Sequence, residues 1–85
     1  MAEVRIYTTR YCPYCHAATA LLTEKRVPFE EIDVTGDNAA RADLAQRTGR
    51  RTVPQVFIDG ESIGGYDDLA ALERSGRLDE LLQPG

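Results

Sequence analysis

The sequence predicts an α/β fold: a four-stranded mixed sheet with flanking helices, its elements in the order β-α-β-α-β-β-α. Three observations carry this reading. Near the N-terminus an alternating, β-branched segment leads into an alanine- and leucine-rich stretch and then into a second strand-like segment. Further on, two strand-like segments meet at Asp59-Gly60, a two-residue hairpin turn. The first pair of strands, joined through a helix, is parallel with a right-handed crossover, whereas the hairpin makes the last pair antiparallel.

Each element has its own signal. Val4-Arg5-Ile6-Tyr7-Thr8 alternates apolar and polar residues and is the first strand. Ala17, Ala18, Ala20, Leu21 and Leu22 supply the helix formers and apolar stripe of a first helix running to about Arg26. Phe29 to Val34 reads as the second strand, bounded by Pro28 and Gly36. Asp37 or Asn38 caps a second helix that turns Leu44 inward and stops at Gly49, a residue suited to the left-handed position past a helix end. Pro54 introduces the third strand, Gln55 to Ile58, and the Asp59-Gly60 turn leads to the fourth, Glu61 to Ile63. After Gly64-Gly65, the acidic pair Asp67 and Asp68 suits the start of a third helix that ends at Gly76, and Leu78 to Leu82 forms a short tail helix.

Eighty-five residues, 42% of them hydrophobic, fit one domain spanning 1–85 with a modest core. No apolar stretch approaches the roughly 20 residues that span a bilayer, so a membrane is not expected as a partner. The N-terminus has no basic, apolar and small-residue series of the kind that directs secretion, which points to the cytoplasm. A net charge of -4 opposes binding to a phosphate backbone, so nucleic acid is not an expected partner. Arg41, Arg47, Arg50 and Arg51 nevertheless lie close together in sequence and leave room for a local anion site.

The chemistry is concentrated in Cys12-Pro13-Tyr14-Cys15. A disulfide between the two cysteines would close so short a loop that the chain-entropy estimate of its stabilisation is only about 2 kcal/mol. Such a pair is a poor staple and a good redox couple, because the sulfurs stay close in both states and exchange is intramolecular. At the start of the first helix, Cys12 faces free N–H groups and the positive end of the helix dipole, which favour the attacking thiolate. Arg10 adds a nearby positive charge. Cys12 is thus the expected nucleophile. Cys15, about one turn into the helix, is shielded and is the expected resolving thiol. Pro13 suits the first helical position, having no N–H to lose there. Tyr14 is either a surface aromatic or a cover for a bound peptide, and His16 reads as a solvated side chain. The other reading of a Cys-x-x-Cys pair, half a zinc site, lacks ligands: the chain holds one such pair and one histidine. No metal is expected in a single chain.

Cys-x-x-Cys between a strand and a helix points to the thioredoxin-like superfamily. Together, Cys12-Pro13-Tyr14-Cys15, Thr52-Val53-Pro54 and Gly64-Gly65-Tyr66-Asp67-Asp68-Leu69 resemble a dithiol glutaredoxin, especially the short bacterial kind, over nearly the whole chain. The resemblance implies a thioredoxin-like fold and a glutathione-dependent thiol-disulfide oxidoreductase. It implies a cis Pro54 facing the cysteines and a backbone pairing of Val53, after Thr52, with glutathione's cysteine. It implies that Gly65, Asp67 and Asp68 receive the γ-glutamyl end. Read locally, Pro54 is equally a strand start and the aspartates are equally helix caps. Many glutaredoxins carry a lysine three residues before the first active-site cysteine to hold glutathione's glycine carboxylate; here that position is Thr9, and Arg10 or an arginine of the Arg47, Arg50, Arg51 group is the expected substitute, Arg10 and Arg51 foremost.

Glutathione is accordingly expected as a co-substrate, with no tightly bound cofactor, and the protein as a monomer. Disulfide-bearing or glutathionylated proteins, ribonucleotide reductase among them, are the expected partners. Two alternatives stay open. One is an electron donor served by a flavoprotein reductase; the other is a module in which two chains and two glutathiones hold an iron-sulfur cluster. Pro13, Tyr14 and Cys15 count against the second, because within the family that role is typical of a Cys-Gly-Phe-Ser site.

Overall fold

A computed structural model of the chain describes residues 2–83; the ends of the expected domain, residues 1, 84 and 85, lie outside the described residues. The elements are β1 (Val4–Thr8), α1 (Pro13–Glu24), β2 (Glu30–Asp33), α2 (Asn38–Thr48), β3 (Gln55–Ile58), β4 (Glu61–Gly64), α3 (Tyr66–Ser75) and α4 (Arg77–Leu82). The sheet order is β2-β1-β3-β4. β1 runs parallel to β2 and antiparallel to β3, and β3 and β4 form the hairpin, so the sheet is mixed as the sequence predicts.

Successive strand residues point to opposite faces of a sheet, which sorts the packing. Val4 and Ile6 of β1 and Val56 and Ile58 of β3 share one face and form the core with Ala18 and Leu22 of α1, Leu69 of α3, and Leu78 and Leu82 of α4. Leu22, Leu69 and Leu78 are fully buried, and each contributes about 1.5–3 kcal/mol by leaving water. On the other face Tyr7 and Phe57 meet edge to face at 5.6 Å, and the Arg47 guanidinium of α2 covers both rings. Among the described residues no helix is long and apolar enough to cross a membrane.

Element boundaries differ from the expectation where local chemistry intervenes. Helix α1 stops at Glu24, two residues early, because Arg26 turns into the left-handed region at φ 58°. Strand β2 is shorter than Phe29–Val34 since only Glu30 to Asp33 pair with β1, although the Val34 N–H still donates to the Thr8 carbonyl at 2.9 Å. Asp37 rather than Asn38 caps α2, its carboxylate accepting the Ala40 N–H, and Gly49 ends that helix at φ 74°.

Candidate active site

Parallel pairing of β1 with β2 brings the chain out of Thr8 at one end of the sheet, where it turns into α1. Cys12 is the cap of that helix, with extended backbone angles of φ -121° and ψ 104°, and Pro13 occupies the first helical position. The Cys12 Sγ accepts the Cys15 N–H at 3.1 Å, so the sulfur takes the place that a serine or aspartate oxygen holds at an ordinary helix start. An N–H donor and a helix N-terminus both stabilise negative charge on that sulfur. Cys12 is half-buried, Cys15 is buried, and both thiols are free. Burial, reinforced by a hydrogen bond to Cys12, pushes the Cys15 thiol up to about 12. One sulfur is therefore open to attack from outside, and the other is held protonated beneath it.

The start of β3 supplies the second wall. The Val53–Pro54 peptide is cis, and the Cys12 thiol donates a long hydrogen bond of 3.7 Å to the Val53 carbonyl. Val53 also lines an open cleft of about 300 Å³, together with Tyr14, Thr52 and Pro54 and, from the start of α3, Gly65, Tyr66, Asp67 and Asp68. Closure here depends on small residues. A Cβ on Gly65 would stand 3.3 Å from the Pro54 carbonyl, and one on Gly64, whose φ is +115°, would collide with the Asp68 carboxylate.

Asp68 is the most constrained acid of the cleft. One carboxylate oxygen accepts the Gly65 N–H at 3.0 Å and the Arg50 guanidinium at 2.7 Å. Arg50, then the Gly65 N–H, hold this carboxyl below its ordinary value. Asp67 beside it is exposed. Above the cleft the Tyr14 and Tyr66 rings lie 6.2 Å apart, and among the described residues Tyr14 and Tyr11 are the two exposed large hydrophobic side chains, one on each side of Cys12 and 63% and 91% exposed.

Of the residues singled out in the sequence, Tyr14, Thr52, Val53, Pro54, Gly65, Asp67 and Asp68 converge on this one cleft, next to Cys12. Arg10 and Arg51 are not among its lining residues. Arg10 faces Asp33 at 3.8 Å, and its backbone N–H donates to the Thr35 hydroxyl. Arg51 lines a separate hollow with Asn38, Arg41 and Ala42. The sequence reading passed over Arg50 in favour of its neighbour Arg51 and left Tyr66 out of the site. Tyr66 had a signal, since it sits inside the Gly-Gly-Tyr-Asp-Asp segment. Arg50 shared the signal of the arginine group, but which of two adjacent arginines turns toward the cleft depends on the loop leaving α2.

Comparison with known proteins agrees with this geometry. The family model described as glutaredoxin matches residues 4–63. The chain is 54% identical over 83 residues to glutaredoxin 3 of Escherichia coli strain K12, covering 98% of this chain and 100% of that protein. It is 52% identical over 82 residues to a glutaredoxin of Pseudomonas aeruginosa, covering 96% and 98%. Among solved structures, a buckwheat glutaredoxin-glutathione complex superposes with a TM-score of 0.90 at 33% identity, over 95% of this chain and 76% of that one. The solution structure of glutaredoxin from Brucella melitensis does so at 0.87 and 50% identity, over 96% and 89%. With its sulfur-capped helix, its Thr-Val-Pro wall and these relatives over nearly its full length, the chain belongs to the glutaredoxin family of thiol-disulfide oxidoreductases.

Proposed function

We propose that this protein is a glutathione-dependent reductase of protein disulfides and glutathione mixed disulfides, acting as one domain over residues 1–85. The observation that carries the reading is the adjacency of a half-buried, helix-capping Cys12 to a peptide-sized cleft whose wall includes the Val53 backbone. The buckwheat relative's complex with glutathione supports the same ligand here.

In the one-thiol route the Cys12 thiolate attacks the glutathione sulfur of a mixed disulfide. A Cys12–glutathione disulfide forms as the protein thiolate leaves and takes up a proton. A second glutathione thiolate then attacks the glutathione sulfur, giving glutathione disulfide and restoring the Cys12 thiolate. In the two-thiol route Cys12 attacks a protein disulfide, and Cys15 then attacks the Cys12 sulfur. The Cys12–Cys15 disulfide closes, the proton of Cys15 passes to the departing thiolate, and two electrons have moved to the substrate. Two glutathiones reopen the pair.

Each recognition role has a physical basis. Backbone pairing with Val53, after Thr52 and before Pro54, reads peptide direction without reading side chains. The N–H groups at the start of α3, beside Gly65, suit the γ-glutamyl carboxylate, and Asp67 and Asp68 suit the ammonium. Tyr14 covers the sulfur. For the glycine carboxylate, Arg10 and Arg51 were the expected cations, but neither lines the cleft; Arg50, which does, is paired with Asp68 at the γ-glutamyl end. Glutathione is then a co-substrate and no cofactor is tightly bound. The reading places the protein in the cytoplasm, where glutathione keeps thiols reduced, as a monomer. Its partners are glutathionylated or disulfide-bearing proteins, with ribonucleotide reductase in that class.

The test compares regeneration of the oxidised protein by glutathione plus glutathione reductase with regeneration by thioredoxin reductase. Faster turnover with glutathione is expected; preference for the flavoprotein reductase overturns the proposal.

A further inference from the structure

Strand β3 is buried along its whole length, yet its first residue is an amide: Gln55 is fully buried between Pro54 and the apolar run Val56-Phe57-Ile58. Its side chain reaches back over the Val53–Pro54 segment. The Nε2 group donates to the Thr52 carbonyl at 3.0 Å and lies 3.4 Å from the Thr52 hydroxyl. The other end of the amide is a liability, because Oε1 is buried with no hydrogen-bond partner among the described residues. An unpaired buried acceptor is destabilising, and an apolar side chain of similar size would avoid it. Gln55 is therefore explained by what Nε2 does rather than by packing.

What Nε2 does follows from peptide geometry. The Thr52–Val53 peptide is not among the cis bonds, which leaves it trans and planar, with the Thr52 carbonyl and the Val53 N–H pointing in opposite directions. Drawing the Thr52 oxygen inward to a buried amide turns the Val53 N–H the opposite way, and Val53 is one of the residues that line the cleft. We infer that Gln55 is a positioning residue: by clamping the Thr52 carbonyl it orients the Val53 N–H to receive the peptide carbonyl of glutathione's cysteine. The inference rests on the glutathione-dependent reading above and deepens it, since Gln55 itself touches no substrate.

The clamp separates affinity from stability. In Gln55→Leu the unpaired acceptor is gone, so the unfolding midpoint stays level or rises. The Thr52–Val53 plane is freed, and KM for a glutathionylated peptide rises about tenfold, the equivalent of one hydrogen bond, while kcat stays within about twofold. Gln55→Glu, which keeps the shape and replaces the donor with an acceptor, raises KM at least as much. A purely structural Gln55 gives the opposite pattern, a lower midpoint with KM unchanged, and that result overturns the inference. Should either variant fail to fold, the wild-type protein still decides. The Gln55 side-chain amide protons, observed by NMR, exchange slowly with solvent if clamped, and rapid exchange overturns the proposal. If the wild-type protein itself does not turn over glutathionylated peptide, the functional reading fails first, whatever Gln55 does.

Discussion

At the N-terminal end of α1 the cap is a sulfur, held by the Cys15 N–H at 3.1 Å and reaching a carbonyl only at 3.7 Å, and two tyrosines stand in solvent; at the C-terminal end the chain is tied to other helices. There the Lys25 N–H closes onto Leu21, and Arg26 ends the helix by donating to the Thr23 carbonyl. The Lys25 ammonium bridges Glu73 of α3 at 2.9 Å and Asp79 of α4 at 2.6 Å. One helix thus has a reactive end and an anchored end. The difference teaches that the anchoring end fixes where the helix axis points, which lets the other end leave a nucleophile loosely held without losing its aim.

The sharpest way to break the comparison is at the sulfurs. Cys12→Ser is expected to abolish all exchange. Cys15→Ser leaves the nucleophile and cleft intact, so turnover of a glutathionylated peptide continues with glutathione in place of the resolving thiol. Reduction of an intramolecular protein disulfide falls steeply, because the mixed disulfide loses its intramolecular release. Equal loss in both assays would remove the one-thiol route.

Next in size is the pair of aspartates, which the structure makes unequal. Asp67 is exposed, while Asp68 holds the Gly65 N–H and Arg50. Asp67→Lys is expected to weaken use of glutathione about ten- to a hundredfold, as for a hydrogen bond to a charged group, with the melting temperature nearly unchanged. Asp68→Asn weakens glutathione use and also costs about 1 kcal/mol of stability, as lost caps do. A fall in melting temperature alone, with glutathione kinetics intact, would reduce both residues to helix-start chemistry.

A smaller effect is the pH dependence of the reduced protein. Burial holds Cys15 protonated, its pKa raised from an ordinary 9.0 to about 12. A raised value in the folded state means that the unfolded chain releases this proton first. Stability is therefore complete below about pH 9 and declines as pH climbs from there toward 12. Asp68 acts at the other extreme: its carboxyl lies low, held first by Arg50, so its contribution is present above the ordinary carboxylate value and lost on acidification below it. Urea midpoints of reduced wild type and Cys15→Ser, compared at pH 8 and 10.5, isolate the first effect; the serine chain loses less.

The smallest change is expected at the anchored end. Lys25→Met removes both ion pairs across α1, α3 and α4 while keeping the apolar stem, so the unfolding midpoint drops slightly, more at low salt than at high. Exchange kinetics at Cys12 remain at the wild-type rate. A selective loss of exchange with no change in stability would contradict the division of the helix into two ends.

Much of this protein is legible in its sequence because the signals are local. Alternation in Val4–Thr8, proline at the first helical position, the Asp59-Gly60 turn and the glycines at 49 and 76 each act through the backbone of their own few residues, and all eight elements follow. The order Cys12-Pro13-Tyr14-Cys15 likewise sets which sulfur caps the helix and which lies a turn inside it. Tertiary structure decided what depends on residues distant in the chain. It put Val53, 41 residues away, beside Cys12, chose Arg50 over Arg51 for the cleft, paired Arg10 with Asp33, and buried the Gln55 amide. The physical reason is one of range: backbone conformation is governed by neighbours along the chain, whereas the direction of a side chain, and the burial that sets the acidity of Cys15, exist only once separate segments have packed.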